Sequence, residues 1–248
     1  MKMNWKLPLA LATVLFSLIV CASRAQDNPP IITDTNSLPT DGLTNDVVTM
    51  KELMTSNNIV TNTVKMVLIK ISPGLWAGKY EVTQDAYQKI MHGNPSAFRG
   101  GALPVDSVSW NDAMAFCGQL TTTEQKTDLP KDYSYTLPTE DQWQMLMADA
   151  SLKDAVMKLN GDYSSTAPVG SLGANSLGLY DTRGNVMEWC LDSHDPSAYH
   201  VLHGGAWDTF IEVNARPEFR EYGAADVRKN DYGFRVILTG PASYSLKP

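Results

Sequence analysis

Cysteine, whose thiol is reactive, occurs at few positions in this chain. The 248 residues contain three cysteines, and Cys117 and Cys190 are the two that lie beyond the N-terminal region. In an oxidising compartment an even pair of this kind can form a disulfide. Free cysteine is also among the most buried residue types, so two separate core thiols are the other interpretation. The spacing alone leaves both alternatives open.

Histidine and paired carboxylates are the remaining candidates for catalysis or metal binding. His200 and His203 lie three residues apart in the strand-like segment YHVLHGG, which places them on opposite faces of a strand and favours solvent-facing rings over a metal site. Glu81 with Asp85 and Asp192 with Asp195 could serve acid–base catalysis, but in an acidic chain they are predicted to be solvated charges. The chain has no G-x-S-x-G, H-E-x-x-H, P-loop or Rossmann glycine motif.

Three amphipathic helices with clear N-terminal caps are predicted to position these residues. Thr83 begins a helix that Gly93 stops, and Ser109 begins a second helix. Thr139 and Gln142 form a capping box for the third. After Gly161 the pattern changes to short apolar segments separated by glycines, which predicts short strands with long loops. Helices followed by strands indicate an α+β fold.

The domain boundaries follow from changes in composition. Residues 1–25 combine Lys2 and Lys6, an uncharged apolar run and small residues before Ala25, which predicts a signal peptide and export to the periplasm or medium. Lipid attachment through Cys21 is disfavoured because Val20 precedes it. Residues 26–63 are rich in Asn, Asp, Thr and Pro and are predicted to form a flexible linker or arm. Residues 64–240 form the predicted domain, and 241–248 a tail.

Charge restricts the partners that the mature chain can have. Removal of residues 1–25 takes away three basic residues and no acidic one, so the formal charge changes from −7 to −10. Nucleic acid and anionic membrane surfaces are therefore excluded as favourable partners. The apolar run of the leader is too short for a stable membrane span.

Six segments occur in an order that is specific although each is short. They read KYEVTQDAY, PVDSVSWNDAMAFC, YTLPTEDQWQMLM, TAPVGSLGANSLGLYDTRGNVMEWCLD, LHGGAW and YGFRV, and they span about residues 74–238. Together they resemble the formylglycine-generating-enzyme family, also called the sulfatase-modifying-factor family. The resemblance implies a C-type-lectin-like topology with short strands, about three helices and much irregular structure. Most of the matching residues are expected to specify this fold, including the core tryptophans Trp110, Trp143, Trp189 and Trp207.

The resemblance also shows where the chain departs from the oxidases of the family. Those enzymes use two copper-binding cysteines shortly after a GGSW-like segment, and alignment on Gly204 and Gly205 places Thr209 and Asn214 at the two positions. A hydroxyl and an amide cannot replace soft thiolates on Cu(I), so no copper is expected. The iron-dependent branch uses histidines of an additional helical domain that this chain lacks, so no iron is expected.

Two further sites are inferred from the resemblance. Several family members hold structural calcium around a G-N-x-x-E-W segment, and Asn185 and Glu188 are the matching oxygen ligands here. The alternative is that Asn185 closes a turn and Glu188 pairs with Arg183 or Arg235. A binding surface is expected in the loops 193–199 and 208–231, where polar and aromatic residues mix. Its residues are Trp207, Phe210, Arg216, Phe219, Arg220, Tyr222 and Arg228.

Two classes of function follow. The first is an exported, non-catalytic member that acts as a ligand- or protein-binding or accessory module of the cell envelope. The second is an oxidoreductase, either of the formylglycine-generating type that matures sulfatases or of the iron-dependent branch, with a displaced or partner-supplied site.

Overall fold

A computed structural model of the chain describes Met54, residues 57–195 and residues 199–241. The described residues belong to one compact unit. The predicted signal peptide, most of the predicted arm and residues 242–248 of the predicted tail lie outside the described residues. Within that described part, no helix has the length and apolar character needed to cross a membrane.

The first sheet contains five antiparallel strands. They are β1 (Ile59–Thr61), β2 (Val67–Ser72), β3 (Leu75–Gly78), β4 (Ser134–Thr136) and β9 (Ile237–Thr239), in the spatial order β1-β2-β3-β9-β4. Ala77 of β3 lies opposite both Ile69 of β2 and Ile237 of β9 and is fully buried. The last strand of the domain therefore lies beside one of the first, which closes the fold.

The predicted boundary between arm and domain at residue 63 is wrong. Strand β1 pairs with β2 in this region, and Val60 and Met54 belong to the main hydrophobic core. The Asn62 side chain accepts a hydrogen bond from the Met66 amide at 2.9 Å and donates to the Tyr135 hydroxyl at 3.2 Å. A segment that is polar in composition thus joins the domain because Met54 and Val60 are buried in the core and the Asn62 side chain finds specific hydrogen-bond partners.

Three helices of eight or more residues lie between residues 57 and 241, and their predicted caps are confirmed. They are α1 (Gln84–Met91), α2 (Trp110–Gln125) and α3 (Glu140–Met147). Thr83 accepts a hydrogen bond from the Ala86 amide, and Ser109 and Thr139 form capping boxes with Asp112 and Gln142. Each cap satisfies amides that the first turn of a helix leaves without partners.

The second sheet carries the loops that form the candidate site. Its strands are β5 (Met187–Asp195), β6 (Tyr199–His203), β7 (Glu221–Ala224) and β8 (Tyr232–Gly233), in the order β7-β6-β5-β8. β5 and β8 are parallel, whereas the other pairs are antiparallel. A long loop from β6 to β7 contains a short 3-10 helix at Glu212–Ala215. This loop and the residues before β8 approach one another beside β5.

The core contains large aromatic side chains and confirms the predicted α+β class. Trp76, Trp143 and Trp189 are each no more than 1% exposed, and Trp110 packs against the main core while partly buried. The Trp189 indole donates to the Val108 carbonyl at 3.0 Å, which satisfies its one polar atom. Such side chains supply the buried apolar area of a fold with short strands and little regular structure.

Candidate functional site

The candidate site is a pocket of about 210 Å³ between the β6–β7 loop and the residues around β8. We call it the loop pocket. It is lined by residues from β5, from the β6–β7 loop, from the start of β7 and from the segment that leads into β8: Met187, Asp208, Thr209, Phe210, Asn214, Phe219, Glu221, Lys229, Asp231 and Tyr232. Pairing of Met187 in β5 with Tyr232 in β8 fixes its inner wall.

A tight turn positions Thr209. The Thr209 hydroxyl accepts a hydrogen bond from the Ala206 amide at 2.9 Å, and the Thr209 amide donates to the Ala206 carbonyl at 3.0 Å. Gly205 has a φ of 70°, and a Cβ there would lie 3.1 Å from Thr209 Oγ1 and 3.4 Å from the Asn214 carbonyl oxygen. Glycine at position 205 therefore permits both the backbone conformation and the close approach of the two loop segments.

Asn214 lies in the 3-10 helix Glu212–Ala215, which packs against a small hydrophobic cluster. The neighbouring Ala215 is buried against Ala155 and Met157, and Leu152 packs on the same cluster. The structure thus brings Thr209 and Asn214 to one pocket. No cysteine is among the residues that line this pocket.

The pocket contains three carboxylates and one lysine. Lys229 Nζ donates to the Tyr232 hydroxyl at 2.7 Å and lies 3.8 Å from Glu221 Oε1. In the described part of the chain, Asp231 Oδ1 is buried and has no hydrogen-bond partner. Burial, followed by repulsion from Asp208, raises the pKa of Asp231 to about 6. The lysine thus makes its direct contacts at one side of the pocket, while Asp208 and Asp231 form no ion pair with a described residue and Lys229 attracts Asp231 only at longer range.

Sequence reasoning missed these three carboxylates. Asp208 and Asp231 mark the ends of the loop 208–231 that the sequence predicts to bind, but neither is among the residues predicted for the binding surface. Their association depends on the parallel pairing of β5 with β8, which has no signal in the local pattern. The indication that the sequence offers for this acidic pocket is that both ends of the loop 208–231 carry an aspartate.

The predicted binding surface is only partly assembled at this pocket. Phe210 and Phe219 line it, and Phe210 is 70% exposed. Arg216 lies 3.7 Å from Glu212 on the same loop, and Arg220 forms an ion pair with Glu140 at the start of α3. The Tyr222 ring lies 4.6 Å from the ring of His194. Arg216, Arg220 and Tyr222 are exposed but do not line the pocket.

Two members of the predicted surface do not line the loop pocket, and Trp207 instead takes the core position that was also predicted for it. Trp207 is 9% exposed and belongs to the main core, where its indole donates to the Asn230 carbonyl at 3.2 Å and its ring meets Phe98 edge-on at 5.3 Å. Arg228 instead forms a bidentate pair with Asp112 of α2, at 2.7 and 2.9 Å, and lines a separate shallow pocket. Core packing requirements and a helix-terminal carboxylate determined these positions.

The cysteines do not form the disulfide that the sequence allowed. Cys117 on α2 and Cys190 on β5 are buried free thiols in separate hydrophobic clusters. Burial raises the pKa of Cys117 to about 12, and it also raises the pKa of Cys190 well above its usual value. Neither thiol is exposed or ionised enough to serve as a redox centre.

The residues suggested for calcium do not fit a calcium site. Both Glu188 oxygens accept hydrogen bonds from Arg235, the shortest at 2.7 Å, and Glu188 Oε2 also accepts from the Trp143 indole. Asn185 Oδ1 accepts from the Ala167 amide, and its Nδ2 donates to Glu81. With Glu188 neutralised by a buried guanidinium, the oxygen ligands needed for a divalent cation are engaged. Of the two arginines considered, Arg235 is the partner.

Glu81 differs from its sequence interpretation as a solvated charge. It is 2% exposed and accepts hydrogen bonds from Asn185 Nδ2 at 2.7 Å and from the Val186 amide at 3.0 Å. Burial, followed by repulsion from Asp181 and Glu188, raises its pKa well above the usual range. Glu81 joins the segment before α1 to the turn before β5, and it also lines a small pocket of about 70 Å³ beside Tyr80 and Thr83.

His200 and His203 stack on different tryptophans. His203 is fully buried, stacks on Trp143 at 4.7 Å between ring centres and lies 3.2 Å from Glu140, whereas His200 stacks on Trp110 at 3.8 Å. His203 is therefore not solvent-facing, contrary to the prediction. Among the described residues, no group of three or more His, Cys, Asp or Glu side chains is arranged to hold a metal ion.

Comparison with known proteins identifies the family of this fold. The family model for the sulfatase-modifying factor enzyme 1-like domain matches residues 52–155 and 147–239. Chaperone protein LppX of Paenibacillus barcinonensis is 26% identical over 225 residues, which cover 65% of this chain and 79% of LppX.

Two further relatives bear opposite descriptions. Inactive C-alpha-formylglycine-generating enzyme 2 of Mus musculus is 28% identical, covering 54% of this chain and 48% of its own length. The formylglycine-generating enzyme of Streptomyces coelicolor is 32% identical, covering 53% of this chain and 51% of its own. The chain thus spans about half of these two proteins. Among solved structures, Treponema denticola variable protein 1 has a TM-score of 0.59 at 23% identity, covering 74% of this chain and 94% of that one.

Proposed function

The chain belongs to the sulfatase-modifying-factor family, and from this premise we propose that it is an exported, non-catalytic member that binds a protein or ligand of the cell envelope through the loop pocket. The observation that carries the proposal is the chemistry of Thr209 and Asn214. They line one pocket at the positions where the resemblance implies a copper-binding cysteine pair. A hydroxyl and an amide cannot supply the thiolates that Cu(I) chemistry needs.

Several observations support a binding role in place of catalysis. The remaining thiols, Cys117 and Cys190, are buried, with pKa values raised by burial, so neither replaces the missing pair. The pocket instead combines exposed aromatic and charged side chains on a loop, which is typical of recognition surfaces. Relatives described as a chaperone and as an inactive enzyme are consistent with a family member that binds without turnover.

Export is supported by the N-terminal sequence. Residues 1–25 have the charged start, apolar run and small residues before Ala25 that a signal peptidase recognises. Mass spectrometry of the N-terminus after expression in a secreting host tests this part: a chain that begins near Gln26 supports it, whereas an intact Met1 or a lipid on Cys21 contradicts it.

Copper binding and oxygen uptake test the non-catalytic assignment. The purified chain is titrated with Cu(I) against a competing chelator, and oxygen consumption is followed with a cysteine-containing peptide. The formylglycine-generating enzyme of Streptomyces coelicolor serves as the positive control. We expect no stoichiometric copper and no peptide-dependent uptake. One tightly bound copper per chain together with peptide-dependent uptake would overturn the proposal in favour of an oxidase.

A designed variant makes the negative result informative. Thr209→Cys combined with Asn214→Cys restores two thiols at the positions in question, and their loop segments approach within contact of the same point at Gly205. We expect this variant to gain Cu(I) binding that the parent chain lacks. Thr209→Ser with Asn214→Ser is the matched control, because it changes the same positions without adding a soft ligand.

A further inference from the structure

The loop pocket has a charge and shape that select one kind of partner. We propose that it receives a lysine or arginine side chain of a protein partner, presented between apolar residues that contact the exposed rim. This inference rests on the proposed binding function and adds the chemistry of the partner.

The first support is the charge balance of the pocket. Three carboxylates, Asp208, Glu221 and Asp231, face a single cation, Lys229. The Lys229 ammonium is already engaged with Tyr232 at 2.7 Å and lies near Glu221 at 3.8 Å. In the described part of the chain neither Asp208 nor Asp231 forms an ion pair, and Lys229 attracts Asp231 only at longer range. A cationic guest supplies the missing charge.

The second support is the state of the Asp231 carboxylate. Its Oδ1 is buried and lacks a hydrogen-bond partner among the described residues, and its pKa is raised to about 6 by burial and by Asp208. Rotation about Cβ–Cγ exchanges the two oxygens, so either can meet a donor placed in the pocket. A guanidinium or ammonium group offers several donors and a positive charge at once.

The third support is the aromatic lining. Phe210, Phe219 and Tyr232 line the same pocket as the carboxylates. Lysine and arginine side chains have long apolar stems that pack on such rings while the charged end reaches a carboxylate. A lining of acids alone would suit a small hydrated ion, whereas acids combined with rings suit an amphipathic side chain. The described residues contain no cluster arranged as a metal site.

The rim and the size of the pocket indicate a protein partner. Phe210 lines the pocket, and the next residues of the same loop, Ile211 and Val213, are 46% and 48% exposed, so this loop presents three large apolar side chains to solvent. At about 210 Å³ the pocket is smaller than the roughly 300–1,000 Å³ of pockets that enclose whole small ligands. It therefore suits one anchoring side chain, and the apolar rim suits that residue's neighbours. The negative charge of the chain favours the approach of a basic partner.

Binding of three short peptides to the full secreted chain tests this inference. The probe is acetyl-Gly-Leu-Arg-Leu-Gly-amide, and its matched controls carry citrulline or glutamate in place of arginine. Citrulline keeps the shape of arginine but is neutral. Titrations are followed by NMR shifts at about pH 7.5 and low ionic strength. We expect the arginine peptide to shift resonances of residues 208–221 and to bind at least about tenfold more tightly than the citrulline peptide.

Variants of the pocket assign the effect to its carboxylates. Asp208→Asn and Asp231→Asn are each expected to weaken the arginine peptide by about tenfold. Asp85→Asn removes an equal charge from an exposed position on α1 outside the pocket and is expected to leave the affinity unchanged. Thermal unfolding of each variant establishes that it is folded.

The outcomes separate this inference from the proposed function. If the citrulline or glutamate peptide binds the pocket as well as the arginine peptide, the basic anchor is wrong while the binding function stands. If no peptide binds, the inference also falls, and the copper and oxygen measurements still decide the non-catalytic assignment independently. If Asp85→Asn and Asp231→Asn lower the affinity for the arginine peptide equally, the effect comes from the overall charge of the chain. That result would likewise overturn the inference.

Discussion

Two regions of the molecule hold three carboxylates around one cation, and they differ in how well the polar groups are satisfied. In the first, Glu81, Asp181 and Glu188 surround Arg235, and we call this group the arginine core. The Arg235 guanidinium donates to Glu188 at 2.7 Å and to the carbonyls of Gly78 at 2.8 Å and Tyr180 at 2.6 Å. The second region is the loop pocket.

The arginine core is closed, and its groups hold the fold together. Arg235 is fully buried, Glu188 is 1% exposed and Asp181 accepts the Gly170 amide at 2.6 Å. In the loop pocket, Asp231 Oδ1 has no partner among the described residues and the rim residue Phe210 is 70% exposed. The Arg235 guanidinium and the Glu188 carboxylate are thus matched by partners within the fold, whereas the loop pocket leaves one buried acceptor unmatched, as the proposed binding role requires.

Arg235→Met should produce the largest change of free energy. It leaves the buried Glu188 without its counter-ion and the Gly78 and Tyr180 carbonyls without donors. We expect the free energy of unfolding at neutral pH to fall by about 3–5 kcal/mol in urea denaturation. The double variant Arg235→Met/Glu188→Met removes both charges and should recover part of the loss. A decrease below about 1 kcal/mol in the single variant would contradict a structural role for the pair.

The pH dependence of peptide binding should give the next largest change. The charged or titratable groups around Asp231 in the pocket are Asp208, Glu221, Lys229 and Tyr232. With a pKa of about 6, Asp231 is ionised at neutral pH and becomes protonated as the pH falls. A basic side chain prefers the ionised form, so its affinity should decrease about tenfold between roughly pH 7.5 and pH 5. Asp231→Asn should bind weakly with a flatter profile. An equally steep profile in that variant would assign the titration to another group.

Asp231→Asn should also change stability, in the opposite direction to Arg235→Met. Because the folded pKa of Asp231 is raised from 3.8 to about 6, the wild type loses stability as the pH rises through this window. The asparagine variant lacks this loss. We expect it to equal the wild type near pH 4 and to exceed it by up to about 1 kcal/mol above pH 7, after allowance for solvent screening. A variant less stable than the wild type at neutral pH would show that the carboxylate supports the fold.

The parts that the sequence predicted depend on short-range signals or on the order of whole segments. Thr83, Ser109 and Thr139 were identified as helix caps because a cap and the amides it satisfies lie within three residues. The family and its α+β fold followed from six segments in order. The alignment of Thr209 and Asn214 with the family's cysteine positions stays a prediction, although both residues line one pocket.

The parts that were missed depend on contacts between distant segments. The partner of Glu188 could be Arg183 or Arg235 by sequence, and only the pairing of β3 with β9 brings Arg235 to it. The same limit applies to Asp231, whose burial follows from the parallel pairing of β5 with β8. Trp207 shows a different limit, because its amphipathic ring suits a binding surface and a core equally well. Its burial is a property of the assembled loops.

Phe210→Ser should have the smallest effect on stability and separates the rim of the pocket from the core. Phe210 is 70% exposed, so its replacement leaves no cavity in the core. The free energy of unfolding should therefore change by no more than about 0.5 kcal/mol. The affinity for the arginine peptide should nevertheless fall by about threefold, because the ring contributes to the apolar rim. Phe234→Ser is the matched control: this ring is fully buried against Tyr87 and Phe116, and its loss should cost about 3–5 kcal/mol. If Phe210→Ser instead destabilised the chain by several kcal/mol, the exposed loop would be part of the folded core, and the distinction between a region that stabilises and a region that binds would be lost.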